Sequence, residues 1–442
     1  MTPTLIIAIV LFAVTYILLF ALPKYKPYIA LCSAVIFSVW LALNREVDFT
    51  FKDFIESIDF NVLMMITGTM GIVSFFIASK MPMRIADVML SKFKNVKMAI
   101  VAMAVFAGVV SAFMDNVATV LIVAPIAFAM CKKQNISPIA PIICISVSSN
   151  LQGAATLVGD TTSIMLAGQM DLNFIDFFWF ENRPGMFFAV EIGAALTVIL
   201  LLIIFRKEKQ PLTIQGHTEV KDYFPSILLL IVVAMLIGAS FIPKPTNAVA
   251  KIFFDHRNGI ICMGLLVVGI IYNACTTKTP EGTKNMLKEM DYETILLLAS
   301  LFIVVGCIDK AGVINKLAEG LESIGGSSPF LMYTIIVFAS VFVSAFVDNI
   351  PYVMAMLPVV AGVASAMGIN PTVLYFGLLV GATLGGNITP VGASANITGI
   401  GMLRKEGYEV KAKDFMKISV PFTLTAVLAG YGYIWLCYGL QL

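Results

Sequence analysis

Val110-Ser-Ala-Phe-Met-Asp-Asn116 returns 233 residues later as Val343-Ser-Ala-Phe-Val-Asp-Asn349. The same offset, without a gap, carries Pro125 onto Pro358, Ile136 onto Ile369, Pro138 onto Pro371 and Gly153 onto Gly386. It also carries Thr156, Val158 and Gly159 onto Thr389, Val391 and Gly392. Coincidence does not hold one register from Val110 to Gly159, so the chain reads as an internal duplication.

The duplicated peptide sits in a very apolar chain. Of 442 residues, 59% are hydrophobic and 13% charged, with a mean hydropathy of +0.93. A soluble domain runs at about 45–50% apolar and about 25% charged. Long continuous apolar runs predict an all-α polytopic membrane protein with the lipid bilayer as its solvent. They exclude an outer-membrane barrel, whose segments are short and alternating. The net charge of +2 points to no nucleic-acid partner. The seven cysteines are scattered and form no CxxC or Cys/His cluster, so neither a disulfide framework nor a zinc site is indicated. His217 and His256 fall in predicted loops, away from any buried proton relay. Met1–Leu22 is apolar but lacks a basic n-region and an Ala-x-Ala site, so it reads as a retained first helix.

Spans are expected at about 4–22, 27–43, 61–79, 139–169 and 186–205, and again at about 226–243, 258–274, 294–308, 371–403 and 417–438. Between the third and fourth of each set lies an extra segment, about 97–131 and 330–366, with Asp-Asn near its middle. At about 1.5 Å per residue each arm of such a segment measures about 22–27 Å, short of a full crossing. Either one long helix crosses with an aspartate at mid-depth, or a re-entrant hairpin carries Asp-Asn at its tip. Charge favours the hairpin. Lys92, Lys94 and Lys97 precede the first segment and Lys132 and Lys133 follow it, so both of its ends read as cytoplasmic. A net-acidic loop (Asp309, Lys310, Lys316, Glu319, Glu322) and an uncharged turn near Gly368 flank the second, so both of its ends read as external.

Five crossings per repeat is an odd number, which inverts the second copy. With both termini external, 21 of the 29 Lys+Arg fall inside and 8 outside. The expected organisation is repeat 1 over 1–205, a cytoplasmic linker over 206–225 and repeat 2 over 226–442. Each repeat has five transmembrane helices, with one re-entrant hairpin and one broken helix.

The breaks are Ser148-Ser-Asn-Leu-Gln-Gly-Ala-Ala-Thr-Leu-Val-Gly-Asp-Thr-Thr-Ser163 and Gly381-Ala-Thr-Leu-Gly-Gly-Asn-Ile-Thr-Pro-Val-Gly-Ala-Ser-Ala-Asn396. Non-helical backbone at membrane depth is tolerated where it is buried in protein or lines a watery cavity. Unwound backbone offers carbonyls to a cation, and the following half-helix offers N–H groups to an anion. A glycine-rich packing face is the rival reading, but packing alone does not call for Asn, Thr and Asp together. Candidate ligands from the first repeat are Asp115, Asn116, Asn150, Gly153, Thr156, Gly159, Asp160 and Thr161. From the second they are Asp348, Asn349, Gly386, Asn387, Thr389, Gly392, Ser394 and Asn396. No Lys or Arg lies within the hairpins or breaks, so the carboxylates await a cation, a proton or backbone N–H groups. The oxygen donors of Asp115, Asn116 and Thr156, and of Asp348, Asn349, Asn387 and Thr389, suit Na⁺. Each aspartate also suits a helix cap. Asp160 has no counterpart, since position 393 is alanine. Glu191 reads as an interfacial or helix-packing residue. Phe174, Phe177, Phe178 and Trp179, with Asp171 and Asp176, read as an external aromatic belt.

At Asp348-Asn-Ile-Pro351, Gly153–Asp160 and Gly385–Asn396 the chain resembles the ion transporter superfamily with its citrate-transporter-like domain. Arsenite-efflux permeases, NhaD-type sodium/proton antiporters, the melanosomal P protein and dicarboxylate/sodium symporters belong to it. The resemblance spans nearly the whole chain. It implies paired re-entrant hairpins, a homodimer and an elevator-like movement in the plasma membrane. The dicarboxylate branch carries Ser-Asn-Thr at both tips, where this chain has Asp115-Asn-Val117 and Asp348-Asn-Ile350. The family's Gly-Asp-Pro-Pro-Asn appears as Gly159-Asp-Thr-Thr-Ser163. The expectation is a secondary transporter, not an enzyme, that couples Na⁺ or H⁺ to a small inorganic or weakly charged solute. A carboxylate symporter and, further off, a channel are the alternatives.

Overall fold

The computed structural model describes residues 2–44, 46–208, 210–211, 218–277, 288, 290–326 and 328–440. His217, the middle of the 206–225 linker, and Lys278 and Lys284 lie outside these residues.

Helices dominate because the long apolar runs are punctuated by good caps. Thr2 accepts from Leu5 N to open α1 (Pro3–Ala21), and a short turn leads to α2 (Lys26–Leu43). After α3 (Phe51–Glu56), Asp59 caps α4 (Phe60–Ala78), followed by α5 (Met81–Leu90). Asn95 caps α6 (Val96–Ser111), a four-residue turn follows, and α7 (Asn116–Gln134) runs on past an internal Pro125. Next come α8 (Ile139–Gly153), a break, α9 (Thr161–Met170) and α10 (Met186–Ile204).

The second half has α11 (Phe224–Ala239), α12 (Ala248–Asp255), α13 (Arg257–Thr277), α14 (Tyr292–Lys310) and α15 (Val313–Gly325). Then follow α16 (Pro329–Ser344), α17 (Asn349–Met367) and α18 (Thr372–Leu379), which continues as a π-turn over Val380–Leu384. After a second break come α19 (Ser394–Lys405) and α20 (Ala412–Ile434). Among the described residues the only strands are the two-residue pair Trp179–Phe180 and Arg183–Pro184.

The offset of 233 reappears at the helix ends. It carries α6 onto α16 and α7 onto α17 at both termini, and the starts of α8 and α9 onto those of α18 and α19. Packing crosses between the halves. Helix α2 lies along α14 and α13 along α4, while α7 touches α19 and α17 touches α9. Glycine makes the α4–α13 approach close: a Cβ on Gly68 would fall 2.5 Å from the backbone carbon of Cys262.

Nine helices among the described residues are long and apolar enough to cross a membrane. They include α7 and α17, at 19 residues each, but not their 16-residue partners α6 and α16. Two local expectations change. The acidic stretch read as a loop is the amphipathic helix α15, with Val313, Ile314 and Ala318 inward and Lys316 and Glu319 exposed and paired. Phe174 and Phe177 are not a surface belt but core residues, 2% and 1% exposed, whereas Trp179 is exposed. Aromatic composition alone does not say which ring faces lipid.

Gly68→Leu, which must push α13 away, is expected to cost about 1–3 kcal/mol through overpacking. Gly264→Leu on the same helix pair, with nothing within 4 Å of its Cβ position, is expected to leave the melting temperature of detergent-purified protein unchanged.

Candidate functional site

The two turns, Ala112–Asp115 and Ala345–Asp348, each end in a capping carboxylate. Asp115 accepts from Val117 N (2.9 Å) and Ala118 N (3.1 Å), and Asp348 accepts from Ile350 N (3.2 Å). Asp160 caps α9 through Thr161 N (2.8 Å) and takes a further bond from Thr162 Oγ1 (2.7 Å). Its counterpart Ala393 gives α19 no side-chain cap. The capping role is therefore filled at all three aspartates. It does not exhaust them, because a carboxylate has about four lone-pair sites.

Each break folds back onto its own turn. Thr156 Oγ1 donates to Ala112 O, and Thr389 Oγ1 donates to Ala345 O. These contacts draw carbonyls around Gly159 and Gly392. A Cβ on Gly159 would lie 2.6 Å from Gly153 O, 2.9 Å from Ser111 O and 3.0 Å from Ala112 O. On Gly392 it would lie 2.6 Å from Gly386 O, 2.6 Å from Ser344 O and 2.7 Å from Ala345 O. Only glycine fits, because three carbonyl oxygens crowd the place a side chain would take.

Amides tie the halves together at the same level. Asn116 Nδ2 donates to Asn150 Oδ1 (3.0 Å), and Asn150 Nδ2 donates to Thr383 O (2.6 Å) in the π-turn. Asn387 Nδ2 donates to Val147 O (2.9 Å), and the hydroxyls of Thr162 and Thr383 meet at 2.9 Å. Asn396 Nδ2 donates to Gly386 O (3.2 Å) and Thr389 O (3.1 Å). Among the buried polar atoms, Asn387 Oδ1, Asn396 Oδ1 and Gln152 Oε1 are acceptors with no partner among the described residues; Asn349 Nδ2 is such a donor. Native proteins rarely leave such groups unsatisfied.

Asp115, Gly159, Asp160 and Thr161 line one cavity of about 20 Å³ with Thr69 and apolar residues of α4. A water-sized guest needs about 10–15 Å³. None of the ion pairs among the described residues involves Asp115 or Asp160.

Asp348 differs, and here the sequence reading is corrected. Its carboxylate pairs with Lys26 Nζ at 2.7 Å and accepts from Ser394 Oγ at 3.4 Å. Lys26 is the first residue of α2, far away in sequence. The base comes from outside both the turns and the breaks. Tyr16 OH donates to Pro351 O (2.8 Å) beside it.

The sequence reading also passed over Ser111, Ser344, Thr162 and Thr383. Ser111 and Ser344 stand inside the duplicated heptapeptide itself. Thr383 is Asn150 carried forward by 233, so the register could have found it. Lys26 had one signal, a lysine that opens an apolar helix directly after another apolar helix.

Residues 9–381 match the family model described as citrate transporter. The 46 kDa membrane protein of Mycobacterium leprae is 29% identical over 98% of this chain and 99% of its own length. The human P protein is 22% identical over 86% of this chain and 54% of its own. In fold, the chain is similar to the YdaH transporter of Alcanivorax borkumensis, with a TM-score of 0.61 at 14% identity, covering 96% of this chain and 98% of that one.

The amide network can be tested directly. Asn150→Leu strands Asn116 Nδ2 and Thr383 O, at about 1–3 kcal/mol for each buried group left unsatisfied. A clear fall in melting temperature is expected. Thr383→Val keeps the accepting carbonyl and is expected to cost less.

Proposed function

We propose that this chain, which belongs to the citrate transporter family, is a secondary active carrier coupling Na⁺ or H⁺ to a small inorganic or weakly charged solute. Membership makes it a membrane transporter; the coupling and the cargo are our reading. One observation carries it: Asp115, Asp160 and Gly159 share a cavity with no basic side chain in its lining. Two carboxylates that close disfavour a multiply charged anion and favour a cation or protons. Asn116, Thr156 and Thr161 complete the oxygen donors on this side; Asn349, Asn387, Thr389 and Asn396 do so on the other. The two turns are the tips of re-entrant hairpins in inverted repeats, and they move in an elevator-like way within a homodimer with external termini. The lysine split and the duplicated helix ends support that arrangement.

A second reading, cation-coupled carriage of a di- or tricarboxylate, is favoured by Lys26 at the second tip and by the family's description. Calorimetry on purified protein separates the two. Na⁺ or Li⁺ is expected to bind, and to weaken about ten-fold or more in Asp115→Asn, while citrate and succinate bind weakly or not at all. Micromolar citrate binding that requires Na⁺ would hand the assignment to the second reading. Concentrative uptake into vesicles distinguishes either carrier from a channel.

Topology has its own test. In a cysteine-free protein, Lys94→Cys and Lys133→Cys are both expected to react only from the cytoplasm; labelling of either from outside replaces the hairpin with a through-helix.

A further inference from the structure

We infer that Lys26 serves the second tip as a tethered cation, so that this carrier binds one mobile Na⁺ per chain, at the first tip, and not two. The inference rests on the cation-coupled reading above and fixes its stoichiometry.

The two tips share a backbone plan but not a charge plan. At the second, the Lys26 ammonium lies 2.7 Å from Asp348 Oδ2, with the two side chains only 15% and 9% exposed. Lys26 is the first residue of α2, where the helix dipole disfavours a positive charge. Asp348 offsets that, and it also caps α17. One carboxylate thus answers one ammonium. A second cation at the same oxygen would meet a like charge held within hydrogen-bonding distance.

Among the described residues the first tip has no such occupant. Helix α13 packs on α4 as α2 packs on α14; it starts at Arg257, and the position 233 residues beyond Lys26 is Gly259. No side chain fits there: a Cβ would fall 2.8 Å from Met64 Cβ and 2.9 Å from Asn61 O. Arg257, two residues earlier, is engaged elsewhere. It donates to Phe254 O (2.7 Å) and to Asn173 Oδ1, and it stacks 4.0 Å over the Phe254 ring. In place of a lysine the first tip has an additional carboxylate, Asp160, where the second half has Ala393, and a cavity of about 20 Å³ beside it. The charge missing from one half is present as a side chain in the other.

Sodium stoichiometry tests this. Purified protein titrated calorimetrically with NaCl against a choline chloride background is expected to take up one Na⁺ per chain. Lys26→Met uncovers Asp348 and is expected to take up two, with the melting temperature rising more steeply with Na⁺ than in wild type. Lys26→Arg keeps one. Lys26→Met combined with Asp348→Asn returns to one. If Lys26→Met does not fold, Lys26→Gln, which keeps most of the stem, replaces it. One Na⁺ in a folded Lys26→Met, or two in the wild type, overturns this inference and leaves the carrier reading standing. Wild-type protein that binds no Na⁺ also overturns it. Uptake into vesicles under Na⁺ or proton gradients then decides the carrier reading separately.

Discussion

In hydrocarbon, a helix that breaks exposes carbonyls and N–H groups that only other protein can satisfy. The two breaks in this chain meet that requirement in the same way. A threonine hydroxyl from each break, Thr156 or Thr389, reaches the backbone of its own turn. An asparagine on each side then reaches a backbone carbonyl of the opposite half. The glycines, the π-turn at Val380–Leu384 and the capping aspartates follow from that one demand. Backbone must pass close to backbone, and every freed dipole needs a partner. Among the described residues, Asn387 Oδ1 and Asn396 Oδ1, both in or next to the second break, stay without one.

The near-symmetry of the halves makes their differences informative. A position that departs from the offset of 233 while its surroundings keep to it marks where the halves differ in task. Asp160 against Ala393 is one such departure, and the Lys26–Asp348 pair is a second asymmetry, outside the stretch that holds that register. Both shift charge in the same sense, towards a negative first tip and a balanced second one.

Much of this was legible because duplication, hydropathy and local capping are properties of short stretches. The register from Val110 to Gly159 anticipated that α6 and α7 would recur as α16 and α17, and the Asp-Asn pairs marked the turns. The charges of α15 alone point to a loop, and it is the spacing of inward-facing Val313, Ile314 and Ala318 that makes it a helix. Phe174 and Phe177 were misplaced because burial depends on what packs above them. Lys26 was missed for a deeper reason. Its partner lies in the other half, and a contact across hundreds of residues leaves no periodicity to read. The same holds for Tyr16 and Pro351.

Helix α2 lies along α14, and α4 lies along α13. During synthesis the first half therefore leaves the ribosome with two of its helices facing surfaces that do not yet exist. Its break between α8 and α9 must wait in the bilayer with Asn150 lacking its Thr383 acceptor. Either half produced alone is a partial object, whereas the two made as separate chains in one membrane have every surface needed to reassemble.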